Sequence, residues 1–288
     1  MSIIPTCSCI GCNAVGTHKV DADRRGGRSA WFCDVHARKL PYGTRNNSVQ
    51  GSRKVNAIQI GVEMETSLAD EKARIELLLN GYIPTSDCSI RDTEYVSGIM
   101  QGLNKISKQC VTFDRLIENG HMVIGNECGT HLHVSIGDMT ADNGDSFMAY
   151  ICRFYNSLFV PVTEAMEENP EAVKRIFGRY FCNYAPEINM HTQMRAGNHN
   201  DRYAWINATN SSNIEYRLCK FVSGKQYMAA VKLCVAMTKT VVTNFCEHFN
   251  DSDFDRSRYA DITAYRKHKA SVTAKKLVKL FNDAAESI

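Results

Sequence analysis

The sequence contains neither a long apolar run nor a recognisable leader. No stretch approaches the roughly 18 consecutive apolar residues that a membrane-spanning helix requires. The first residues lack the positively charged start and apolar centre of a signal peptide. These absences predict a cytoplasmic protein without a membrane partner.

The sequence also lacks the glycine-rich fingerprints of two common nucleotide-binding folds. Neither G-x-x-x-x-G-K-[ST] nor G-x-G-x-x-G occurs, so P-loop and Rossmann chemistry are not expected. The zinc-hydrolase patterns H-E-x-x-H and H-x-x-E-H are missing as well. No internal repeat or low-complexity tract is present, which leaves an ordinary globular chain.

Composition and charge describe a folded protein with a basic front end. Hydrophobic residues make up 44% and charged residues 23% of the 288 residues, which suits one large domain plus a small module. Residues 1–54 hold nine Lys/Arg against three Asp/Glu, a balance of +6, so the net charge of +3 leaves −3 for residues 55–288. Eight of the twelve cysteines are scattered singly after position 40, which favours reduced, mostly buried thiols over a disulfide framework.

Cysteine and histidine pairs in the front end predict a structural zinc site. Cys9-x2-Cys12 and Cys33-x2-His36 give three thiolates and one imidazole for a tetrahedral ion. The alternative is a loop with unrelated cysteines. However, a module this small cannot form a sufficient apolar core and needs a stabilising cross-link such as a bound metal ion. Two nearby residues could replace one of the four ligands: Cys7 and His18.

The front end divides into a module and a linker. We assign residues 1–40 to the zinc-binding module, the polar turn-rich residues 41–54 to a linker, and residues 55–288 to one large domain. Basic residues on the module could meet nucleic acid or another polyanion, or could form a solvated face of a docking module. They are Arg24, Arg25, Arg28, Arg38 and Lys39.

The large domain reads as α+β. Alternating apolar residues predict strands at about 58–65, 87–97, 130–136, 203–207 and 213–221. Helical patterns cover about 70–80, 144–168, 224–249 and 272–285, with Pro161 expected to kink or divide the second helix. We expect one antiparallel sheet with helices packed on a single face.

Three strands each carry a pair of polar residues two positions apart. Alternation projects the members of each pair from the same strand face. A solvated strand face explains any single pair. Three pairs in one sheet would repel each other unless cations lay between them. Carboxylates together with an imidazole are ligands that suit Mg²⁺ or Mn²⁺. The pairs are Glu63 with Glu65, His131 with His133, and Glu215 with Arg217.

Five segments of the large domain resemble successive motifs of the amidoligase family, relatives of glutamine synthetase and glutamate–cysteine ligase. None is specific alone, and their order across about 55–225 carries the resemblance. They are IGVEMETS at 60–67, DCSIRDTEYVSGIM at 87–100, CGTHLHVSI at 128–136, RYAWIN at 202–207 and SNIEYRL at 212–218. The resemblance implies a glutamine-synthetase-like fold and an ATP-dependent carboxylate–amine ligase that works through an acyl phosphate.

The resemblance also implies roles for individual residues. Glu63, His131 and Glu215 would hold one Mg²⁺ or Mn²⁺ ion, and Glu65 with Glu94 would hold a second. Arg217 and Arg202 would neutralise the transferred phosphate, which matches a reaction governed by positioning and charge. His133, Asp87 and Ser89 are assigned substrate or supporting roles. A simple turn explains Asp87 and Ser89 equally well.

The chain departs from glutamine synthetase in lacking its separate N-terminal β-domain and recognisable adenine-binding elements. Nucleotide preference, the acid, the amine (free, peptide-borne or protein-borne) and the oligomeric state are therefore left open. A metal-dependent hydrolase and a non-catalytic zinc-finger adaptor that binds nucleic acid are the alternatives. Cys128 could be a nucleophile, although a buried thiol explains it better.

Overall fold

The structure is a computed structural model of the chain. It describes residues 14, 18–21, 29–33, 58–85, 93–125, 128–136, 144–183, 185–194, 204–208, 213–220, 222–249, 257–258 and 260–288. Several predicted features therefore lie outside the described residues. They are Cys9, Cys12 and His36 of the zinc site, its substitute Cys7, the linker 41–54, and the candidate site residues Asp87, Ser89 and Arg202.

The described residues form a mixed α+β protein with mostly antiparallel strand pairing and six helices. They divide into two compact units. The first holds the described residues up to 53, with 61–130 and 222–224. The second holds 54–60, 131–221 and 225–288. The α+β prediction is confirmed at this level, and the glutamine-synthetase-like fold stays a prediction.

The strands are short except for two. They are β1 (His18–Asp21), β2 (Ser29–Phe32), β3 (Ile58–Thr66), β4 (Leu68–Ala69), β5 (Tyr82–Thr85), β6 (Thr93–Ser97), β7 (Met100–Gln101), β8 (Met122–Val123), β9 (Thr130–Ile136), β10 (Ile206–Asn207) and β11 (Ile214–Tyr216). The helices are α1 (Glu71–Leu79), α2 (Asn104–Glu118), α3 (Gly144–Glu168), α4 (Pro170–Phe177), α5 (Gly224–Phe249) and α6 (Ile262–Glu286).

The first unit is built on β3, β6 and β5. β6 lies antiparallel between the other two, with Met64 opposite Tyr95 and Tyr95 opposite Pro84. Alternation places Val62 and Met64 of β3 in the core, each 1% exposed. α1 and α2 also contribute to the apolar core, where the rings of Tyr82 and Phe113 meet edge to face at 5.4 Å.

The second unit joins three strands to four helices. β11 lies between β10 and β9 in antiparallel register. Its core centres on Trp205, which is fully buried, packs against Phe177 and Tyr216, and donates its indole N–H to Thr163 of α3. The hydroxyls of Tyr216 and Thr238 lie 2.9 Å apart, which ties β11 to α5.

Two of the three longest helices match their predicted bounds. α3 and α5 span the expected 144–168 and 224–249, and α3 continues through Pro161 without dividing. α5 is long and apolar enough to cross a membrane by length and composition, but 61% of its most apolar window is buried within the protein, as in a core helix.

The last helix corrects a prediction. α6 begins at Ile262 rather than near Val272, because Asp261 caps it by accepting a hydrogen bond from the Ala264 backbone N–H. Two helices, α2 and α4, were not predicted. α4 has only eight residues, and the polar positions of α2 conceal its apolar stripe of Ile106, Phe113 and Leu116.

A hairpin precedes Cys33 in the front end. β1 and β2 pair antiparallel with His18 opposite Phe32 and Asp21 opposite Ser29. Cys33 follows β2 directly, and it is buried with its thiol outside any disulfide. The hairpin carries two candidate zinc ligands, Cys33 just after β2 and the substitute His18 at the start of β1, and the four-ligand set stays a prediction.

Candidate functional site

Two glutamates face each other across β3 and β6 in the first unit, and we call them the carboxylate pair. Glu65 and Glu94 are register partners in the antiparallel ladder. Glu65 is only 8% exposed, and Glu94 is half-buried. Like charges directly opposite each other on neighbouring strands destabilise a sheet. Glu65 and Glu94 are the residues predicted to hold the second metal ion, and their placement opposite each other favours a bound cation.

Hydrogen bonds fix the orientation of the carboxylate pair. The Gly129 backbone N–H donates to Glu65 Oε2 at 2.6 Å, and the Glu65 backbone N–H donates to the Gly129 carbonyl at 3.0 Å. The Thr85 hydroxyl donates to Glu94 Oε2 at 2.8 Å. Carboxylate oxygens are the ligands that divalent cations such as Mg²⁺ prefer.

Glu63 precedes Glu65 by two positions on β3. It lies opposite Val96 of β6 and is half-buried. Alternation along the strand therefore points it to the same face as Glu65. The predicted metal set of Glu63, His131 and Glu215 draws on both units, and it stays a prediction.

A second cluster surrounds Glu215 on β11 in the second unit, and we call it the Glu215 cluster. Glu215 is 8% exposed, and its Oε1 lies 3.5 Å from His131 Nδ1 on β9. The Arg217 guanidinium forms an ion pair with the same oxygen. Asn207 of β10 donates its side-chain N–H to Glu215 Oε2 at 2.6 Å. A buried carboxylate thus has cationic and neutral partners, as burial of a charge requires.

His133 is the direct partner of Glu215 in the β9–β11 ladder. One ligand atom of each lies within 4.8 Å of the other. His133 Nδ1 also lies 3.1 Å from Asn213 Oδ1, which restrains the imidazole ring. His131, His133 and Glu215 therefore bring two imidazoles and a carboxylate close together.

Arg217 lies just past the end of β11, and its backbone is held on both sides. Its N–H donates to the Trp205 carbonyl at 2.9 Å. The guanidinium of Arg179 donates to the carbonyls of Arg217 at 2.6 Å and Leu218 at 3.1 Å. Arg179 follows the left-handed Gly178 that ends α4. This support fixes the strand end from which the Arg217 side chain reaches Glu215.

Comparison with models of known protein families and with curated protein sequences finds no match for this chain.

Two supporting residues were missed from the sequence. Asn207 ends the RYAWIN segment and lies opposite Glu215 in the ladder, so alternation of that short strand could have indicated it. Arg179 is separated from Arg217 by nearly forty positions, and no local pattern points to their contact.

Two described thiols, those of Cys128 and Cys110, do not have the features of nucleophiles. Cys128 is 4% exposed, and its sulfur lies 3.3 Å from the Ser67 hydroxyl. Burial and the neighbouring Asp114 raise the pKa of Cys110 to about 11, so this thiol is protonated at neutral pH. The chemistry these clusters suit is charge neutralisation by carboxylates, imidazoles and a guanidinium.

Proposed function

We propose that this chain is an ATP-dependent carboxylate–amine ligase. The observation that carries the proposal is the burial of two polar clusters at motif positions of the amidoligase resemblance. Glu65 and Glu94 form the carboxylate pair, and Glu215 gathers His131 and Arg217. Buried charged groups are costly in a protein interior, so their presence at these positions supports a catalytic role.

The donor set of each cluster fits a divalent cation. The carboxylate pair offers only oxygen ligands, which Mg²⁺ prefers, and the Glu215 cluster adds imidazole, which moves the preference toward Mn²⁺. When bound, such a cation would neutralise phosphate oxygens during transfer. Five residues would supply the ligands: Glu63, Glu65 and Glu94 of the first unit, and His131 and Glu215 of the second.

The proposed reaction has two steps. An oxygen of the substrate carboxylate attacks the γ-phosphorus of ATP, ADP leaves, and an acyl phosphate remains. The amine nitrogen then attacks the acyl carbon, inorganic phosphate leaves, and the nitrogen loses a proton to give the amide. Arg217, with Arg202, would neutralise the phosphoryl oxygens in both steps, and His133 would contact the substrate.

The remaining assignments complete the proposal. The substrates are a carboxylate and an amine, either of which could be carried by a peptide or a protein. The front module would hold structural Zn²⁺ through Cys9, Cys12, Cys33 and His36, and would deliver the ligase to a partner such as a polyanion. We place the protein in the cytoplasm.

Turnover tests the proposal directly. Phosphate release from ATP with Mg²⁺ or Mn²⁺ is measured against pools of carboxylates and amines, and the product is sought as an amide by mass spectrometry. Glu215→Gln should lower kcat by at least about a hundredfold because it removes the charge that orients Arg217 and His131. Glu118→Gln, on the exposed end of α2, is the matched control and should keep full activity. Hydrolysis of a substrate without ATP would instead support the metal-dependent hydrolase.

A further inference from the structure

The C-terminal helix carries a strongly basic exposed face that the overall charge of the domain conceals. Between Asp261 and Asp283 the sequence has six Lys/Arg and no Asp or Glu. Lys267, Lys275, Lys276 and Lys279 are all exposed on α6, and we call these four residues the basic face. Lys275 and Lys279 lie about one turn apart, and Lys267 lies about two turns before Lys275, so these lysines extend over about 18 Å of the helix.

The other side of α6 is buried in the protein. Its buried residues include Tyr265, Leu277 and Phe281, and the helix packs against α3. Asn244 of α5 also donates its side-chain N–H to the Lys269 carbonyl at 3.3 Å. α6 is therefore a helix fixed in the second unit that presents its lysines outward.

Three of the four ammonium groups have no ion-pair partner among the residues that the structure describes: Lys267, Lys275 and Lys276. Lys279 pairs with Asp283 at 2.7 Å. Repulsion between lysines one turn apart is unfavourable in the isolated helix. A polyanion would relieve it, because each ammonium would gain a phosphate oxygen.

We propose that the basic face of α6 binds the phosphate backbone of a double-stranded nucleic acid. Over about 18 Å of its axis a duplex carries about ten phosphates on its two strands, so it offers a phosphate oxygen to each of these ammonium groups. An anionic membrane is a poorer partner, because membrane-surface helices insert an apolar face, and the apolar face of α6 is buried in the protein. The proposal uses none of the residues of the proposed ligase site, so either can fail without the other.

Salt dependence of binding tests this surface in the full chain. Fluorescence anisotropy is measured with labelled DNA and RNA duplexes of about 20 base pairs, from about 50 to about 200 mM salt. Substitution of Lys267, Lys275 and Lys276 by Gln should reduce the slope of log Kobs against log salt by about 2.7, since each phosphate contact contributes about 0.9. The single variant Lys275→Gln should reduce it by about 0.9.

A matched control separates contacts from net charge. Substitution of Lys72, Lys105 and Lys108 by Gln removes the same charge from exposed positions of α1 and α2, and it should leave the slope unchanged. Replacing the three α6 lysines by Arg should preserve binding. The proposal is overturned if the α6 and control variants change the slope equally, if the wild type binds neither duplex, or if it binds only vesicles of anionic lipid. A preference for DNA or RNA would identify the source of the phosphates and support the proposal.

Discussion

At the residue scale, single polar groups decide local stability as well as chemistry. Asp70 caps α1 by accepting from the Ala73 backbone N–H at 3.0 Å, and its other oxygen lies 2.8 Å from His121 Nδ1. Partial burial raises the pKa of Asp70, but the hydrogen bonds from Ala73 and His121 lower it by more together, so the pKa lies below its usual value.

This shift predicts a pH dependence of stability. A depressed pKa means that the Asp70 carboxylate contributes stability above its unfolded pKa of about 3.9, and that this contribution is lost as the pH falls through the lower folded value. Asp70→Asn keeps the cap but removes the charge, and should lower the free energy of unfolding by about 0.5 kcal/mol at pH 6, a modest loss because Asp70 is 42% exposed. Urea unfolding of both proteins from about pH 6 to about pH 3 measures the difference. A difference that grows toward low pH would contradict the assignment.

The sequence predicted the polar residues of the two clusters better than it predicted the residues that hold them in place. Strict alternation along β3 and β9 predicted which side chains share a strand face, because a strand has a fixed period of two. The contact of His131 with Glu215 follows once the two strands, whose alternating patterns are visible in the sequence, are paired side by side. Arg179 could not be found this way, since its contact with the Arg217 carbonyl depends on how the end of α4 meets a distant strand end.

At the element scale, the end of α4 holds the segment that carries Arg217. Gly178 has φ +83°, and a Cβ there would lie 2.1 Å from the Lys220 carbonyl oxygen. The Lys220 N–H donates to the Phe177 carbonyl at 2.6 Å. The segment from Arg217 to Lys220 therefore packs against a helix end that has no room for a side chain.

Gly178→Ala should destabilise the protein more than an equally strained substitution elsewhere. Positive φ alone costs a non-glycine residue about 1–2 kcal/mol, and the clash with Lys220 adds to it. Gly120→Ala is the matched control, because Gly120 has φ +70° with nothing within 4 Å of its added Cβ. Urea unfolding compares the two, and equal losses would show that the close approach to Lys220 does not matter.

Element bounds were predictable where apolar periodicity was long. α3 and α5 matched because each keeps an apolar stripe over many turns. The start of α6 was missed because Arg266, Lys267 and Lys269 interrupt the apolar pattern in its first turns. The capping carboxylate of Asp261, rather than periodicity, marks where this helix begins.

At the scale of the whole molecule, the predicted zinc ion would stabilise the front module, which is too small for a large core of its own. Cys33→Ser should reduce bound zinc below one ion per chain, because a hydroxyl is a much poorer zinc ligand than a thiolate. Cys246→Ser changes an exposed thiol on α5 and serves as the control. Metal analysis of both purified proteins checks the prediction, and stoichiometric zinc in Cys33→Ser would refute this ligand set.

The central claim is that this chain binds ATP together with a divalent cation, and calorimetric titration of ATP with Mg²⁺ or Mn²⁺ tests it most directly. Glu65→Gln is the informative variant, because its amide oxygen can still accept from the Gly129 N–H while the charge opposite Glu94 is reduced. We expect metal-dependent ATP binding by the wild type and by Glu118→Gln, and binding at least about tenfold weaker by Glu65→Gln. Absence of ATP binding with either metal, or equal binding by Glu65→Gln, would contradict it.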